Sequence, residues 1–248
     1  MKIIKSKILS RFPEIVFGFS TKVGLNKKAP FHFNMSKSVT DDEKSVVENR
    51  TAFFAELGLA DTKICFQKQI HSSIVTKVDS NYEMIESDAL YTSEKNTTLV
   101  ISSADCVPVF LYDPVTKIVA GVHSGWRGTE QKILEKTINK LEAEGVNSRN
   151  LISYIGPCIS GENYEIGEEV ANQFDSKYIR ESENKLLLDL KSVNYDMLIS
   201  AGIPSKNIEV SDLCSFEETN LLHSYRREGK ISGRAVGVIC IRGEKIVT

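Results

Sequence analysis

The sequence predicts an α+β fold with mixed sheets, and three observations carry that expectation. Strand-like and helix-like segments intermingle along the chain, with no linker, internal repeat or low-complexity stretch. Residues 107–112 and 117–122 are β-branched and aromatic runs separated by Asp113-Pro114-Val115-Thr116, so they read as an antiparallel hairpin rather than a βαβ winding. Finally, Ala235–Ile241 is an uninterrupted apolar run, as expected of a strand buried on both faces.

In chain order, residues 14–20 read as a strand and 24–34, lacking any period, as a loop. Thr40-Asp41-Asp42-Glu43 is a capping box that opens a helix ending near Gly58. Val46, Phe53, Phe54 and Leu57 form its apolar face, and Arg50 projects into the middle of that stripe. Residues 63–78 read as strand, break, strand, with Gln67-Lys68-Gln69 in the break and His71 just past it. Glu86-Ser87-Asp88 reads as a solvated acidic turn. Residues 129–145 form an amphipathic helix, with Ile133, Leu134, Thr137, Ile138 and Leu141 on one face. A strand at 151–155, a turn-rich loop at 156–161 and a helix over 165–178 follow. Asp189 caps a further helix running through Ala201 to Gly202, and Ile208–Val210 is a strand.

Composition narrows the function classes. The 248 residues carry a net charge of −2 with only short basic pairs, so a nucleic-acid surface is not expected. No apolar stretch is long enough to span a membrane, and the N-terminal segment lacks the apolar core of a signal peptide. The five cysteines are an odd number, scattered and without a C-x-x-C pair, which points to a reducing cytoplasm. Four histidines can furnish one three-ligand site but not the several copper sites of a multicopper oxidase.

The hairpin places chemistry. If Tyr112 pairs with Lys117, the same register sets Cys106 directly opposite His123, with Cβ atoms about 4.5–5.5 Å apart. Pro108 cannot donate to the ladder and belongs at a non-hydrogen-bonded position, the class with closer side chains. Such a Cys–His pair can share a metal or act as nucleophile and base. Ser124-Gly125-Trp126-Arg127-Gly128 follows, offering an arginine and backbone amides to an anion. A guanidinium in an apolar stripe needs an anionic partner, and for Arg50 a structural carboxylate and a bound phosphate are both open. Asp105 adjoins Cys106 but points to the opposite face of the strand.

The motifs resemble the YfiH/YlmD-type family, generally described as purine nucleoside phosphorylases and formerly labelled multicopper polyphenol oxidoreductases or laccase domains. The blocks that carry the resemblance run nearly end to end. They include Gly18-Phe19-Ser20-Thr21, Glu48-Asn49-Arg50, Gln69-Ile70-His71, Ser87-Asp88-Ala89, Ser103-Ala104-Asp105-Cys106-Val107-Pro108, His123-Ser124-Gly125-Trp126-Arg127-Gly128 and Ser224-Tyr225-Arg226-Arg227. The resemblance implies one domain over residues 1–248, a four-layer α/β/β/α sandwich, and a zinc held by His71, Cys106 and His123, with copper less suited. It implies phosphorolysis of adenosine, inosine and related nucleosides, with adenosine deamination as an added activity. On this reading Cys106, His123 and Arg50 are catalytic. Arg50 holds phosphate, aided by Arg127 or the amides near Gly128, while Ser20 and Asn34 contact the nucleoside. The expected partners are nucleoside and phosphate, and the expected state is a monomer or weak homodimer. The chain departs from the family at Lys22 (usually Arg), Ser72 (usually Gly) and Ser124 (usually Ala). Two other readings stay open: a hydrolase with Cys106 as nucleophile, editing peptidoglycan precursors, and a copper polyphenol oxidoreductase.

Overall fold

The computed structural model describes residues 1–243. Along them run β1 (Ile3–Ile4), β2 (Ile15–Ser20), α1 (Glu43–Glu56), β3 (Lys63–Cys65), β4 (Val75–Lys77), β5 (Ala89–Thr92), β6 (Thr97–Ser103), β7 (Val107–Asp113) and β8 (Ile118–Ser124). Then come α2 (Trp126–Glu130), α3 (Ile133–Ala143), β9 (Ile152–Ile155), β10 (Glu165–Ile166), α4 (Glu168–Ala171), β11 (Ile179–Ser182) and β12 (Lys185–Leu188). The order closes with α5 (Leu190–Ser200), β13 (Ile208–Val210), α6 (Tyr225–Glu228) and β14 (Ala235–Ile241).

Two mixed sheets form the body, in strand orders β1-β2-β14-β6-β3 and β13-β9-β7-β8-β5-β4. A small third sheet, β10-β12-β11, is separate from both. Apolar residues that alternate in and out along each strand divide among three cores. Phe17, Phe19, Leu99, Ile101, Phe110, Tyr112, Val119 and Tyr154 fill the space between the two large sheets. Phe53 and Phe54 of α1, with Leu57 at its C-cap, cover the outer face of the five-stranded sheet through Val100, Val236, Val238 and Cys240. Ile133, Leu134, Ile138 and Leu141 of α3, with Val193 and Leu198 of α5, cover the outer face of the six-stranded sheet. The result is the expected α/β/β/α sandwich. Each fully buried Leu, Ile or Phe contributes about 1.5–3 kcal/mol of burial energy. The inter-sheet fit is close: a Cβ at Gly237 would lie 2.3 Å from the Phe110 ring.

Several expectations are corrected. The N-cap of α1 is Asp42, whose side chain accepts the Ser45 amide, rather than Thr40. The helix expected over 129–145 is two, α2 and α3, because Lys132 adopts a left-handed conformation (φ 60°) between them. Residues 165–178 are not one helix but β10, the four-residue α4 and a 3-10 turn. The β11–β12 hairpin, turning through Glu183 and Asn184 at φ 50° and 62°, carries no strong sequence signal. Among the described residues, no helix is long and apolar enough to cross a membrane.

The β7–β8 hairpin forms, but in another register: Asp113 pairs with Ile118 and Pro108 with His123. The Asp113 carboxylate accepts from the Val115 and Thr116 amides, and Lys117 takes φ 57°, so the loop starts one residue later than the turn formers suggest. Each partner is displaced by two residues, an even number, so every side chain keeps its face. Pro108 does occupy a non-hydrogen-bonded position, since the His123 amide opposite turns away to the Asp88 carbonyl at 2.7 Å.

Candidate metal and active site

Three chain segments converge at one end of the six-stranded sheet. Cys106 immediately precedes β7, His123 sits near the end of β8, and His71 lies in the loop before β4. Their ligand atoms all fall within 4.8 Å of one another, with His71 exposed, Cys106 intermediate and His123 buried. Cys106 Sγ is 4.0 Å from His71 Nε2, and the two imidazoles meet edge to face at 5.0 Å between ring centres. Cys106 is diagonal to His123 rather than opposite it, which a thiol and an imidazole can still span. The backbone is shaped for this approach: His71 has φ 59° and Asp105 has φ 93°. Gly125 is required here, because a Cβ would lie 3.1 Å from Cys106 Sγ and 3.0 Å from His71 Cδ2.

Asp88 organises the cluster. It is fully buried, not part of a solvated turn. Its Oδ1 is 2.8 Å from His123 Nδ1, which leaves Nε2 for the thiol side. Its carboxylate also accepts the amides of Ile70, His71 and Ser72 and the Ser72 hydroxyl, the last at 2.7 Å. Burial alone would raise its pKa, but hydrogen bonds from His123 and Ser72 outweigh this and bring it to about 2. The nearest sequence signal was position, since a residue that directly precedes a buried strand is drawn in with it. Its acidic neighbours masked that signal.

The same balance sets the other charges. Burial pushes the Cys106 thiol up, yet the adjacent His123 and His71 bring it down to about 6. Burial disfavours the His123 imidazolium, yet Cys106 and Asp88 raise it to about 9. Without a metal, each group favours the charged form of the other, Cys106 toward thiolate and His123 toward imidazolium.

The remaining sequence-predicted residues fall in different places. The Arg50 Nε donates to the Met35 carbonyl at 2.7 Å, and its guanidinium lies 4.0 Å over the Phe66 ring. Burial lowers its pKa. Among the described residues the arginines paired with carboxylates are Arg180, Arg227 and Arg242; Arg50 is not among them. Arg127 is exposed and stacks on Trp126 at 4.2 Å. Ser20 and Asn34 are fully buried. Ser20 Oγ accepts the Val236 amide, and Asn34 Oδ1 accepts the Ser36 and Arg234 amides. Asp105 points away from the cluster, accepting Ser215 Oγ and the Arg226 amide, both at 2.6 Å. Lys22 is buried in an ion pair with Glu228 at 3.0 Å and donates to the Thr219 carbonyl.

A family model described as multi-copper polyphenol oxidoreductase laccase matches residues 16–242. The chain belongs to this family. Among curated members, purine nucleoside phosphorylase YlmD of Bacillus subtilis (strain 168) is 33% identical, covering 91% of this chain and 88% of the relative. A purine nucleoside phosphorylase of Deinococcus radiodurans is 33% identical, covering 89% and 87%. Among solved family structures, YlmD from Geobacillus stearothermophilus superposes with a TM-score of 0.88 at 29% identity, covering 96% of this chain and 94% of that one. The Bacillus licheniformis hypothetical protein YfiH gives 0.86 at 32% identity, covering 93% and 94%. The family's shared sandwich is thus the frame on which this cluster is built.

Proposed function

We propose that the chain is a zinc-dependent phosphorylase of purine nucleosides, adenosine and inosine among them, with adenosine deamination as a second reaction of the same pocket. The observation that carries this reading is the convergence of His71, Cys106 and His123, with Asp88 holding His123 from behind. The names of the curated relatives support the reaction class. The donor set fits the metal: two imidazoles and a thiol with depressed pKa suit zinc, and a carboxylate on the far ring nitrogen orients a ligand imidazole. Three protein donors leave a coordination position for a reacting group. A zinc ion bound there would supply Lewis acidity.

The protein's own groups do the rest. Asp88 fixes the tautomer of His123 and, through the amides of residues 70–72, the backbone that carries His71. Arg50 is locked at Nε by Met35 and has no carboxylate partner among the described residues. With Nε engaged and no carboxylate partner, this half-buried guanidinium is the phosphate-binding group of the reading. Arg127 projects from the first turn after Gly125 and assists it. Ser20 and Asn34, both fully buried, would serve the nucleoside through the backbone at Val236 and Arg234 that they fix rather than by the direct contact expected of them.

A second reading is favoured by one observation: Cys106, His123 and Asp88 lie in the order of a thiol nucleophile, its base and the base's orienter. Elemental analysis of purified protein, paired with chromatography of adenosine and inosine with and without phosphate, separates the two. About one zinc per chain, lost in Cys106→Ala together with phosphate-dependent base release, is the expected result. A metal-free protein that retains full activity overturns it and makes Cys106 the nucleophile.

A further inference from the structure

We propose that the groove between α3 and α5 is a binding site for an aliphatic polyamine. None of its lining residues belongs to the His71–Cys106–His123 cluster, so the proposal does not depend on the reaction assigned above.

Periodicity builds the groove. On α3, Glu135, Ile138, Asn139 and Glu142 recur at three- and four-residue spacing and share one line of the helix. Lys136 and Lys140 are turned about 100–140° away from that line. On α5, Val193, Asp196, Met197 and Ser200 form the matching line. Residues 173–178 and the end of α2 complete the wall. The enclosed volume is about 630 Å³, inside the range of about 300–1,000 Å³ typical of small-molecule sites.

The lining joins two chemistries. Ile138, Val193, Met197, Ala201 and Phe174 are apolar, while Glu130, Glu135, Glu142, Asp175 and Asp196 bring carboxylates against a single lining cation, Lys132. Lys132 lies 3.4 Å from Glu135. Among the described residues, Glu130 and Glu142 form no ion pair. The wall already shows how it receives an ammonium. Lys177 Nζ lies 2.9 Å from Asp196 Oδ2 and 4.6 Å from the Tyr178 ring centre, and the Tyr178 hydroxyl donates to the same carboxylate oxygen. At the α2 end, fully buried Asn194 donates through Nδ2 to Oγ1 of the lining residue Thr129 at 3.3 Å. Its Oδ1 is left buried with no donor among the described residues. An ammonium supplies N–H donors and asks for no donor in return.

The two chemistries select the ligand class. An inorganic cation would leave the apolar lining wet, and an apolar ligand would strip water from carboxylates without replacing it. A peptide would bring backbone amides and carbonyls that the apolar lining leaves unpaired. An aliphatic polyamine alternates methylene runs with ammonium groups and meets both needs. Glu135 and Glu142 stand two turns apart, about 10.5 Å along the axis of α3, and an extended triamine such as spermidine spans a similar length.

The full chain, Glu142→Gln and the double variant Glu130→Gln with Glu142→Gln are titrated calorimetrically with spermidine. Magnesium chloride serves as the charge control, and a short lysine-rich peptide as a second probe. Both glutamates are exposed, so the substitutions leave the fold intact. Saturable, equimolar binding of spermidine is expected, about fivefold weaker in Glu142→Gln, weaker again in the double variant, and resistant to magnesium at matched charge. Equal affinity in wild type and double variant overturns the site, as does displacement by magnesium at matched charge. Binding of the peptide in preference to spermidine overturns the polyamine assignment.

Discussion

Two histidines of this protein are almost equally buried and behave in opposite ways. His123 is 4% exposed and His223 is 2% exposed. His123 faces Asp88 and Cys106, and its pKa rises to about 9. His223, between the Lys22–Glu228 pair and Gly233, has no well-formed hydrogen bond at either ring nitrogen among the described residues. Burial brings it down to about 3, with Glu228 opposing only in part. Burial alone therefore does not set a histidine's charge; the Cys106 thiol and the Asp88 carboxylate that face His123 raise its pKa against burial.

The largest effect should come from removing that carboxylate. Asp88→Ala strips the Nδ1 partner from His123 and the acceptor from the amides of residues 70–72, leaving His123 with Cys106 alone. We expect a loss of about 3–5 kcal/mol of stability and a fall in metal affinity of about 10–100-fold, read by urea denaturation and by zinc competition with a chromophoric chelator. Unchanged zinc affinity would break the comparison. Glu228→Gln tests the other region. It leaves Lys22, 8% exposed, without its counter-charge, and should cost about 1.5–3 kcal/mol without changing zinc content.

The pH dependence of His223 is sharper still as a discriminator. Its folded pKa lies below its ordinary value of 6.5, so its stability contribution is present above about pH 6.5 and is lost as pH falls toward about 3. Between pH 7 and pH 5, wild type should lose about 1–2 kcal/mol more than His223→Leu, measured by urea unfolding of both proteins at the two values. Equal losses would mean that His223 is not held neutral. The smallest effect is expected from Ser72→Gly, which restores the usual family residue and deletes one hydroxyl from Asp88. A cost of about 1 kcal/mol, seen as a small drop in thermal midpoint with the cluster still able to bind zinc, would show that the backbone amides carry the site.

Local chemistry was legible in the sequence, and long-range chemistry was not. The faces of α1 and α3, the cap of α5 at Asp189 and the burial of β14 all follow from periodicity and capping residues. The expected pairing of Cys106 with His123 is replaced by Pro108 with His123, yet the two side chains stay on one face and meet diagonally, because strand faces repeat every second residue. His71 came only from the family resemblance, since its loop has no period to fix its direction. Asp88 was misread because three consecutive polar residues look solvated, and only the strands that pack around β5 bury it. The β11–β12 hairpin escaped notice because its strands alternate weakly and its turn uses Glu183-Asn184 rather than glycine. Arg50 was correctly placed in an apolar stripe, but an aromatic ring and a carbonyl, rather than a carboxylate, receive it.

The Asp88 carboxylate joins a strandless loop to the end of β8, and the third donor arrives from the start of β7. No stretch of nascent chain shorter than residues 71–123 holds all three donors. A metal can therefore be captured by all three only after β5, β7 and β8 have found one another, which makes late contacts of large sequence separation the gate. On the zinc reading proposed above, loading would report that the sheet has assembled, and a chain whose sheet is misassembled would be left unloaded.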